Sequence, residues 1–442
     1  MALQQNADQI LDLVKAAGAS GDLIIDQGQS LSLKAREGAL EEYKVSSSQI
    51  LGLRVIKDGK VGTAYSEATD TDALKSLVEQ ALLNASFAAV DAHESILANA
   101  AVLHTDDEVL CPHEDVGIDA QIDFALTMER NLAAKSKVKN VPYNGVQDNM
   151  GERHIFSSAG LSAYSKSRMC AAYAYALVED GDKNAMDGVG QAARLFSELD
   201  LTQIVTRTHE NCLSLLEGTP VASGHYDVIF DEETQVQLFH TFAMMFSGKS
   251  AKDGVNPMRE KVGQSIADRR LNIFDKPLNS AGFGYALFDS EGAATQSTPL
   301  IVDGNLATLI HNSATASFFD LATTGHATRG PKSTMGVGLH QLEIGKGQDL
   351  AQDLLGGEYL LLTDLTGLHS GANAISGNFS FGASGYLCQH GERVRAVRGI
   401  TVAGNFYDML GKISMIGDQQ YWNWERSALM PHIRFADIAI SG

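Results

Sequence analysis

The chain has 442 residues, and its 54 acidic against 34 basic residues give a net charge of −20. This length predicts more than one domain. A field of this sign repels polyphosphate, and the short basic clusters carry no interleaved aromatic residues, so we expect no nucleic-acid partner. No apolar run reaches the roughly 18 residues of a membrane helix, and the first ten residues do not resemble a signal peptide. We therefore expect a cytoplasmic protein without a membrane partner.

The N-terminal part alternates between helical and strand patterns. Apolar residues at helical spacing open the chain, and the pattern changes to alternation from Asp22 onward. Glycine-containing turns at 36–38 and 57–60 predict antiparallel hairpins, because glycine adopts the positive φ that tight turns need. The predicted elements are a helix at 4–17, hairpin strands within 22–66, helices at 70–90 and 117–136, strands within 154–183, and a long helical stretch at 187–220. We expect an N-terminal two-layer α/β sandwich at 1–195 and a helical connector at 196–220.

The C-terminal part, 221–442, is predicted to be a strand-rich domain with glycine-rich bends. A short strand at 226–230 runs into three acidic residues and a helical segment. Hairpin turns follow at Asp303-Gly304 and His390-Gly391, and a final strand ends the chain. Seven glycines between Gly356 and Gly385 fit neither dinucleotide nor P-loop spacing, so we interpret them as bulges and sheet bends. The fold class predicted for the whole chain is α+β, with two domains.

Three His-Glu pairs invite a zinc interpretation: His93-Glu94, His113-Glu114 and His209-Glu210. A zinc-binding helix needs a second histidine four or five residues after the first, so that both imidazoles face one ion. None of the three pairs has one. We interpret all three as solvated surface residues.

Two sets of residues resemble nucleophilic sites. Cys212 follows His209 and Glu210, but the apolar run after it predicts burial. Asp364, His369 and Ser370 are the right residue types for a triad, yet closeness in sequence does not create triad geometry. The four cysteines lie far apart and form no CxxC pair, so we expect reduced thiols. The residues themselves therefore predict no catalytic group.

The second half nevertheless carries stretches that resemble a known family. "GLHSGANAISGNFSFGASGYL", "ITVAGNFYDMLGKISMIGD" and the terminal "FADIAISG" are similar to the C-terminal signature of the TldD/PmbA family, whose members form two-component cytoplasmic peptidases. The hairpins "LKAREGALEE" and "LGLRVIKDGKVGTAYSE" fit the same pattern. The resemblance covers nearly the whole chain.

The resemblance also implies where a metal motif would lie. TldD-type subunits carry HExxxH on a helix that directly follows a short strand. Alignment through Val228-Ile229-Phe230 places the motif at 231–236, where Asp231 replaces the first histidine, Glu232 keeps the glutamate and Val236 replaces the second histidine. The family's third ligand is a late cysteine, and none follows Cys388. We therefore expect neither metal nor cofactor in this chain, and interpret Asp231 as a helix N-cap.

The resemblance thus predicts a TldE (PmbA)-type subunit that lacks the metal motif, with zinc held by a partner subunit. The expected partners are a TldD-type paralogue or a second copy of this chain, and unfolded or leader peptides as substrate. An alternative is a self-associating peptide-binding protein without proteolytic activity, and a third is an autonomous hydrolase with an unidentified nucleophile. Candidate residues for the peptide cavity are His369, Asn373, Ser376 and Asn378.

Overall fold

The computed structural model describes residues 2–442. Up to Glu217 the chain forms one seven-stranded, mostly antiparallel sheet with helices. Its strands are β1 (Ser20–Arg36), β2 (Ala39–Lys57), β3 (Lys60–Ser66), β4 (Val102–His104), β5 (Val138–Ser157), β6 (Ser162–Asp180) and β7 (Lys183–Ala193). Its helices are α1 (Ala2–Ala16), α2 (Thr71–Phe87), α3 (Asp107–Leu110), α4 (Ile118–Ala133) and α5 (Leu201–Glu217), with a 3₁₀ turn at Phe196–Glu198.

Strand β1 shows why the helices lie on one face of this sheet. Leu23, Ile25 and Leu33 are separated by even numbers of residues, so they point to the same side, and all three are fully buried. Helices α1 and α2 pack over the first two, and α4 and α5 pack over Leu33. Ile24 points to the opposite face and packs near Phe288 of the C-terminal part. The predicted two-layer sandwich is therefore present, and the C-terminal part covers its other side.

The segment predicted as one helical stretch at 187–220 is divided between a strand and a helix, which corrects the prediction. Strand β7 pairs with β6 along its whole length, and α5 begins only after the N-cap Asp200. The alanines and glutamines of this segment permit a helix locally, but pairing with β6 satisfies its backbone instead. Gly188 fits this arrangement, because a Cβ there would lie 2.3 Å from the ring of Tyr175.

From Gly224 onward the chain is rich in strands, as predicted. Nine strands in one path and a tenth beside them form a single sheet, and β12 and β13 form a separate pair. The strands are β8 (Gly224–Phe230), β9 (Ile273–Asp275), β10 (Thr298–Val302), β11 (Asn305–Leu306), β12 (Ala327–Thr328), β13 (Gly336–Val337), β14 (Leu342–Ile344), β15 (Glu358–Thr366), β16 (Asn378–Gln389), β17 (Glu392–Asn405), β18 (Ile413–Trp422) and β19 (Ala428–Ser441). The helices are α6 (Glu232–Thr241), α7 (Gly248–Lys252), α8 (Ser313–Phe318), α9 (Ala351–Leu354) and α10 (Phe406–Met409), with 3₁₀ turns at Ala243–Phe246 and Arg259–Lys261.

Part of the larger sheet closes on itself. Strand β8 pairs with both β15 and β19, and these are connected through β16 and β17, so five strands form a ring. Phe230, Phe381 and Phe435 are fully buried in its core. A register shift occurs at Ala383/Gly385, where a Cβ on Gly385 would lie 2.0 Å from the carbonyl oxygen of Leu361. This glycine lets two strands approach closely, as the bend interpretation requires.

A buried ion network joins the two parts of the chain. Arg54 is 1% exposed, and its Nε donates to Oδ2 of Asp22 at 2.7 Å. Its terminal nitrogens lie 3.2 Å from Glu94 and 3.5 Å from Glu291. Arg329 of the C-terminal part forms an ion pair with the same Asp22.

Among residues 2–442, no helix combines the length and apolar character needed to cross a bilayer.

Candidate functional site

The junction of β8 and α6 lies at the position implied for the metal motif. Strand β8 ends at Phe230, and the backbone N–H of Asp231 donates to the carbonyl of Leu362 on β15 at 3.0 Å. The chain then turns into α6, and Oδ1 of Asp231 accepts the N–H of Thr234 at 2.9 Å. Asp231 is therefore an N-cap, as predicted, and its carboxylate satisfies a helix donor that has no intrahelical partner.

Val236 lies on the inner face of α6. It is 5% exposed and belongs to the main apolar cluster of the C-terminal part, together with Leu238 and Phe239 on the same helix. Its side chain has no donor atom for a metal and points into the core. The residue that replaces the second histidine is thus a packing residue.

The two glutamates in the first turn of α6 have different environments. Oε2 of Glu232 lies 3.5 Å from Nε2 of His432, and this contact lowers the pKa of the carboxyl group. Glu233 accepts the backbone N–H of Trp424, but burial raises its pKa to about 8, and the neighbouring carboxyl groups add to the rise. Burial also raises the pKa of Asp231 to about 6. Asp231 and Glu233 thus have raised pKa values because they are desolvated and lie close to other carboxyl groups, whereas the pKa of Glu232 is lowered by its histidine partner.

All three acids border a cavity of about 530 Å³ between the two parts of the chain. Burial raises the pKa of Asp187 in its wall to about 6, and Asp364 also has a raised pKa because it is desolvated. Both tryptophans of the chain, Trp422 and Trp424, lie in the wall as well. The other main contributors are Tyr173 and Tyr175 of β6, Gln203, Arg207 and Asn211 of α5, Gln237 of α6, Thr363 of β15 and Arg393 of β17.

Sequence comparisons identify the family. Profiles described as PmbA/TldA metallopeptidase domain 1, central domain and C-terminal domain match residues 21–85, 111–216 and 223–442. The chain belongs to the PmbA/TldD family. Metalloprotease PmbA of Escherichia coli O157:H7 is 27% identical over 426 residues, which cover 94% of this chain and 91% of the relative. The PmbA homologue of Haemophilus influenzae is 26% identical over 433 residues, with the same coverage.

A solved structure of a PmbA/TldD family protein shows that the fold is shared over the whole chain. TldE from Thermococcus kodakarensis superposes with a TM-score of 0.85 at 20% sequence identity, and each chain covers 100% of the other. At this identity the likeness concerns the fold alone. The resemblance stated from the sequence is thereby confirmed at the level of family and architecture.

The cavity at the family's motif position offers a limited chemistry. Among the described residues that line it there is neither a histidine nor a cysteine. The ordinary ligand set of a catalytic zinc is three nitrogen, sulfur or carboxylate donors around one ion, with an open fourth position. At the motif position, Asp231 caps a helix, Glu232 contacts His432, and Val236 is an apolar core residue. The residues present do not fit a zinc ion, although partly protonated carboxyl groups can hydrogen-bond to peptide groups.

The loop predicted to line a peptide cavity connects β15 and β16. His369, Asn373, Ser376 and Asn378 are all exposed. Oδ1 of Asn373 accepts the backbone N–H groups of Ile375 and Ser376, each at 3.0 Å, so part of the loop is held by its own side chain. None of the four borders the 530 Å³ cavity, and a peptide-binding role for them stays a prediction.

The candidate nucleophiles have structural partners. Cys212 is fully buried, its Sγ donates to the carbonyl of Ala176 at 3.2 Å, and burial raises its thiol pKa to about 11. The hydroxyl of Ser370 donates to the carbonyl of Gly367 at 3.4 Å. A thiol held in this way is a weak nucleophile at neutral pH.

Two of the His-Glu pairs differ from the surface interpretation. Glu94 contributes to the buried network around Arg54. Glu114 accepts the backbone N–H groups of Phe196 and Ser197 at 2.6 and 3.0 Å, just before α5. Both glutamates connect segments distant in sequence, which the dipeptide pattern did not reveal. The surface prediction was wrong for these two residues.

Sequence reasoning also missed a cluster of potential metal ligands, because its members are 51 and 14 residues apart. Among residues 2–442, Asp275, His326 and His340 form the only group of three whose ligand atoms all lie within 4.8 Å of one another. Nε2 of His326 lies 2.8 Å from Oδ2 of Asp275, and Oδ1 accepts the backbone N–H groups of His340 and Gln341. Nε2 of His340 contacts the carbonyl of Gly325 at 2.8 Å. These hydrogen bonds satisfy the cluster without an ion.

Proposed function

We propose that this chain is the non-metal subunit of a TldD/TldE-type cytoplasmic peptidase. In this role it encloses unfolded or leader peptides beside a zinc ion that is held by a TldD-type partner. The observation that carries the proposal is the burial of Val236, whose apolar side chain occupies the position of the second histidine ligand. A catalytic zinc needs about three protein ligands, and this position supplies none.

The surroundings of Asp231 support the same conclusion. Its carboxylate is engaged by the N–H and the hydroxyl of Thr234, at 2.9 and 2.8 Å, so it serves the helix. The strand-then-helix element therefore remains as a packing unit after loss of its ligands. Strand-rich surfaces nearby suit extended peptides, which pair through backbone groups irrespective of side-chain sequence.

The proposal is tested with the purified full-length chain and a metal-bearing paralogue from the same cell. Alone, the chain is expected to hold well under one zinc ion by elemental analysis and to leave unstructured peptides intact. Added to the paralogue, it is expected to raise the rate of cleavage. A chelator should abolish that cleavage, whereas serine and thiol reagents should leave it unchanged.

Two outcomes contradict the proposal. One is a zinc ion held stoichiometrically by this chain and lost in Glu232→Gln. The other is chelator-insensitive cleavage by the pure chain that disappears in Cys212→Ala or Ser370→Ala. If the paralogue is unaffected and the chain still binds peptide, the non-proteolytic alternative replaces the proposal.

A further inference from the structure

Strand β7 contributes to the wall of the 530 Å³ cavity and has a free edge. Among the described strands it pairs only with β6, and residues 187–191 border the cavity. No register shift interrupts the pairing with β6. Alternate residues of β7 therefore direct their backbone N–H and C=O groups away from β6, as in any antiparallel edge strand. Part of this free edge lies in the cavity wall.

Contacts near the two ends of β7 show which residues face the free edge. The carbonyl of Asn184 accepts from an arginine of β17 at 2.9 Å, and the N–H of Ala192 donates to the carbonyl of Trp424 at 3.3 Å. Gly188 and Gly190 lie an even number of residues from both, so they face the same edge. Gly188 donates its N–H to the preceding aspartate side chain at 2.7 Å, but its carbonyl and both backbone groups of Gly190 have no partner among residues 2–442. These groups can bind an added strand.

Two acids beside this edge lack a cation. Asp187 of β7 and Asp364 of β15 come from the two parts of the chain, and neither forms an ion pair with a basic side chain of the described residues. Desolvation raises the pKa of both carboxyl groups, and Asp364 adds to the rise at Asp187. A cation beside them would offset both effects. The arginines of the wall have other neighbours, since Arg207 lies near Glu232 and lowers its pKa, and Arg393 lies 4.1 Å from the centroid of a tyrosine ring.

The ring of Tyr175 lies beside the same two acids. Desolvation raises the pKa of its phenol, and Asp187 and Asp364 add to the rise. A Cβ on Gly188 would lie 2.3 Å from this ring, so the ring covers β7 next to the open carbonyl. Carboxylates beside an aromatic ring form a favourable site for an ammonium or guanidinium group, because both attract positive charge. The cavity therefore combines open backbone groups with a place for a cationic side chain.

We propose that the cavity binds an extended peptide segment at the free edge of β7 and selects a lysine or arginine side chain, which it places beside Asp187 and Asp364. The peptide backbone hydrogen-bonds to Gly188 and Gly190 irrespective of sequence, whereas the two carboxylates determine which side chain is accepted. This preference rests on the proposed function, which makes peptide the ligand, and it is measured on the single chain without a metal or a paralogue.

Binding of capped five-residue peptides to the full-length chain tests the preference. The peptides contain no tryptophan or tyrosine and carry either lysine or glutamine at the centre of a run of threonines. The fluorescence of the two tryptophans in the cavity wall reports binding. The lysine peptide is expected to bind more tightly than the glutamine peptide by about tenfold or more, because only lysine supplies the missing cation.

Substitution of the two acids tests the assignment of the site. Asp187→Asn and Asp364→Asn should each lower the ratio of the two affinities to roughly threefold or less. The affinity for the glutamine peptide should stay unchanged, which an unfolded variant could not achieve. Asp12→Asn, on the exposed side of α1, is the matched control and should keep the wild-type ratio.

Two modified peptides identify the groups that bind. An uncapped glutamine peptide supplies an N-terminal ammonium group and is expected to bind no more tightly than its capped form. N-methylation of the lysine, and separately of the next residue, removes one N–H group each. Only one of the two changes should weaken binding, because a strand directs alternate N–H groups to the same edge.

Five outcomes would each overturn the proposal: no binding of the lysine peptide, equal affinities for the lysine and glutamine peptides, an unchanged ratio in both aspartate variants, an uncapped glutamine peptide that binds as tightly as the lysine peptide, or equal effects of the two methylations. The proposed function would then still stand if the chain binds no zinc and raises cleavage by the paralogue. Selective peptide binding without any effect on the paralogue would contradict the proposed function alone.

Discussion

Substituting Glu233 by glutamine tests whether this residue makes the cavity sensitive to pH. Burial, with the neighbouring Asp231 and Glu232, raises the pKa of Glu233 from its ordinary value of 4.5 to about 8. Between these pH values the folded protein holds a proton that the unfolded chain releases. The contribution of protonated Glu233 to the free energy of unfolding is therefore fully present below pH 4.5 and is lost as the pH rises through 8. At about 1.4 kcal/mol for each pH unit, the loss between pH 5 and pH 8 is about 4 kcal/mol.

Glu233→Gln keeps the size of the side chain and an oxygen that accepts the N–H of Trp424, but it removes the titrating group. Relative to wild type, the variant should gain about 4 kcal/mol in free energy of unfolding between pH 5 and pH 8.5. The free energy of unfolding is measured by urea titration with tryptophan fluorescence as the signal. Both tryptophans line the cavity, so the signal reports on the part of the chain that contains Glu233. Glu79→Gln, on the exposed side of α2 and away from the cavity, is the matched control and should show no such gain. A difference between Glu233→Gln and wild type that is the same at pH 5 and pH 8.5 would refute the reasoning.

Two further predictions concern the motif position and the ion network. The double variant Asp231→His and Val236→His should still bind no stoichiometric zinc by elemental analysis, and it should lose about 1 to 3 kcal/mol of stability in urea unfolding because an imidazole without partners enters the core. Zinc uptake by this variant would show that the rest of the ligand set is present. Arg54→Met should lower the free energy of unfolding by about 3 to 5 kcal/mol, because it leaves buried carboxylates without their main cation. Lys249→Met removes an exposed ion pair and should cost less than about 1 kcal/mol, and equal losses in the two variants would contradict the burial argument.

Local patterns in the sequence predicted the elements whose stability is local. The turns at Gly38 and Gly59 lie where the glycines predicted them, and both glycines have positive φ. Asp231 caps α6 because the preference of a short acidic side chain for a helix start acts over only three residues. The division into domains at 195 and 220 stays a prediction.

The same patterns did not predict features that depend on distant partners. Residues 187–193 form a strand because β6 offers a full-length partner, and nothing within those seven residues encodes that partner. Glu94 and Glu114 are structural because a buried arginine in one case, and two backbone amides in the other, reach them only in the folded chain. Burial is a property of the assembled packing, and burial decides whether a carboxylate is a surface charge or a structural anion.

The candidate site also combines features that local sequence patterns predict with features that depend on distant partners. The absence of the HExxxH pattern, the valine at position 236 and the similarity to a family can all be read from the residues in order. Only the tertiary structure brought Asp187, Glu233 and Asp364 around one cavity with both tryptophans. A motif consists of residue types at neighbouring positions, so the sequence is sufficient to detect it or to show its absence. Distances between elements, and the desolvation that raises the pKa of these acids, arise only when strands and helices far apart in the chain pack together.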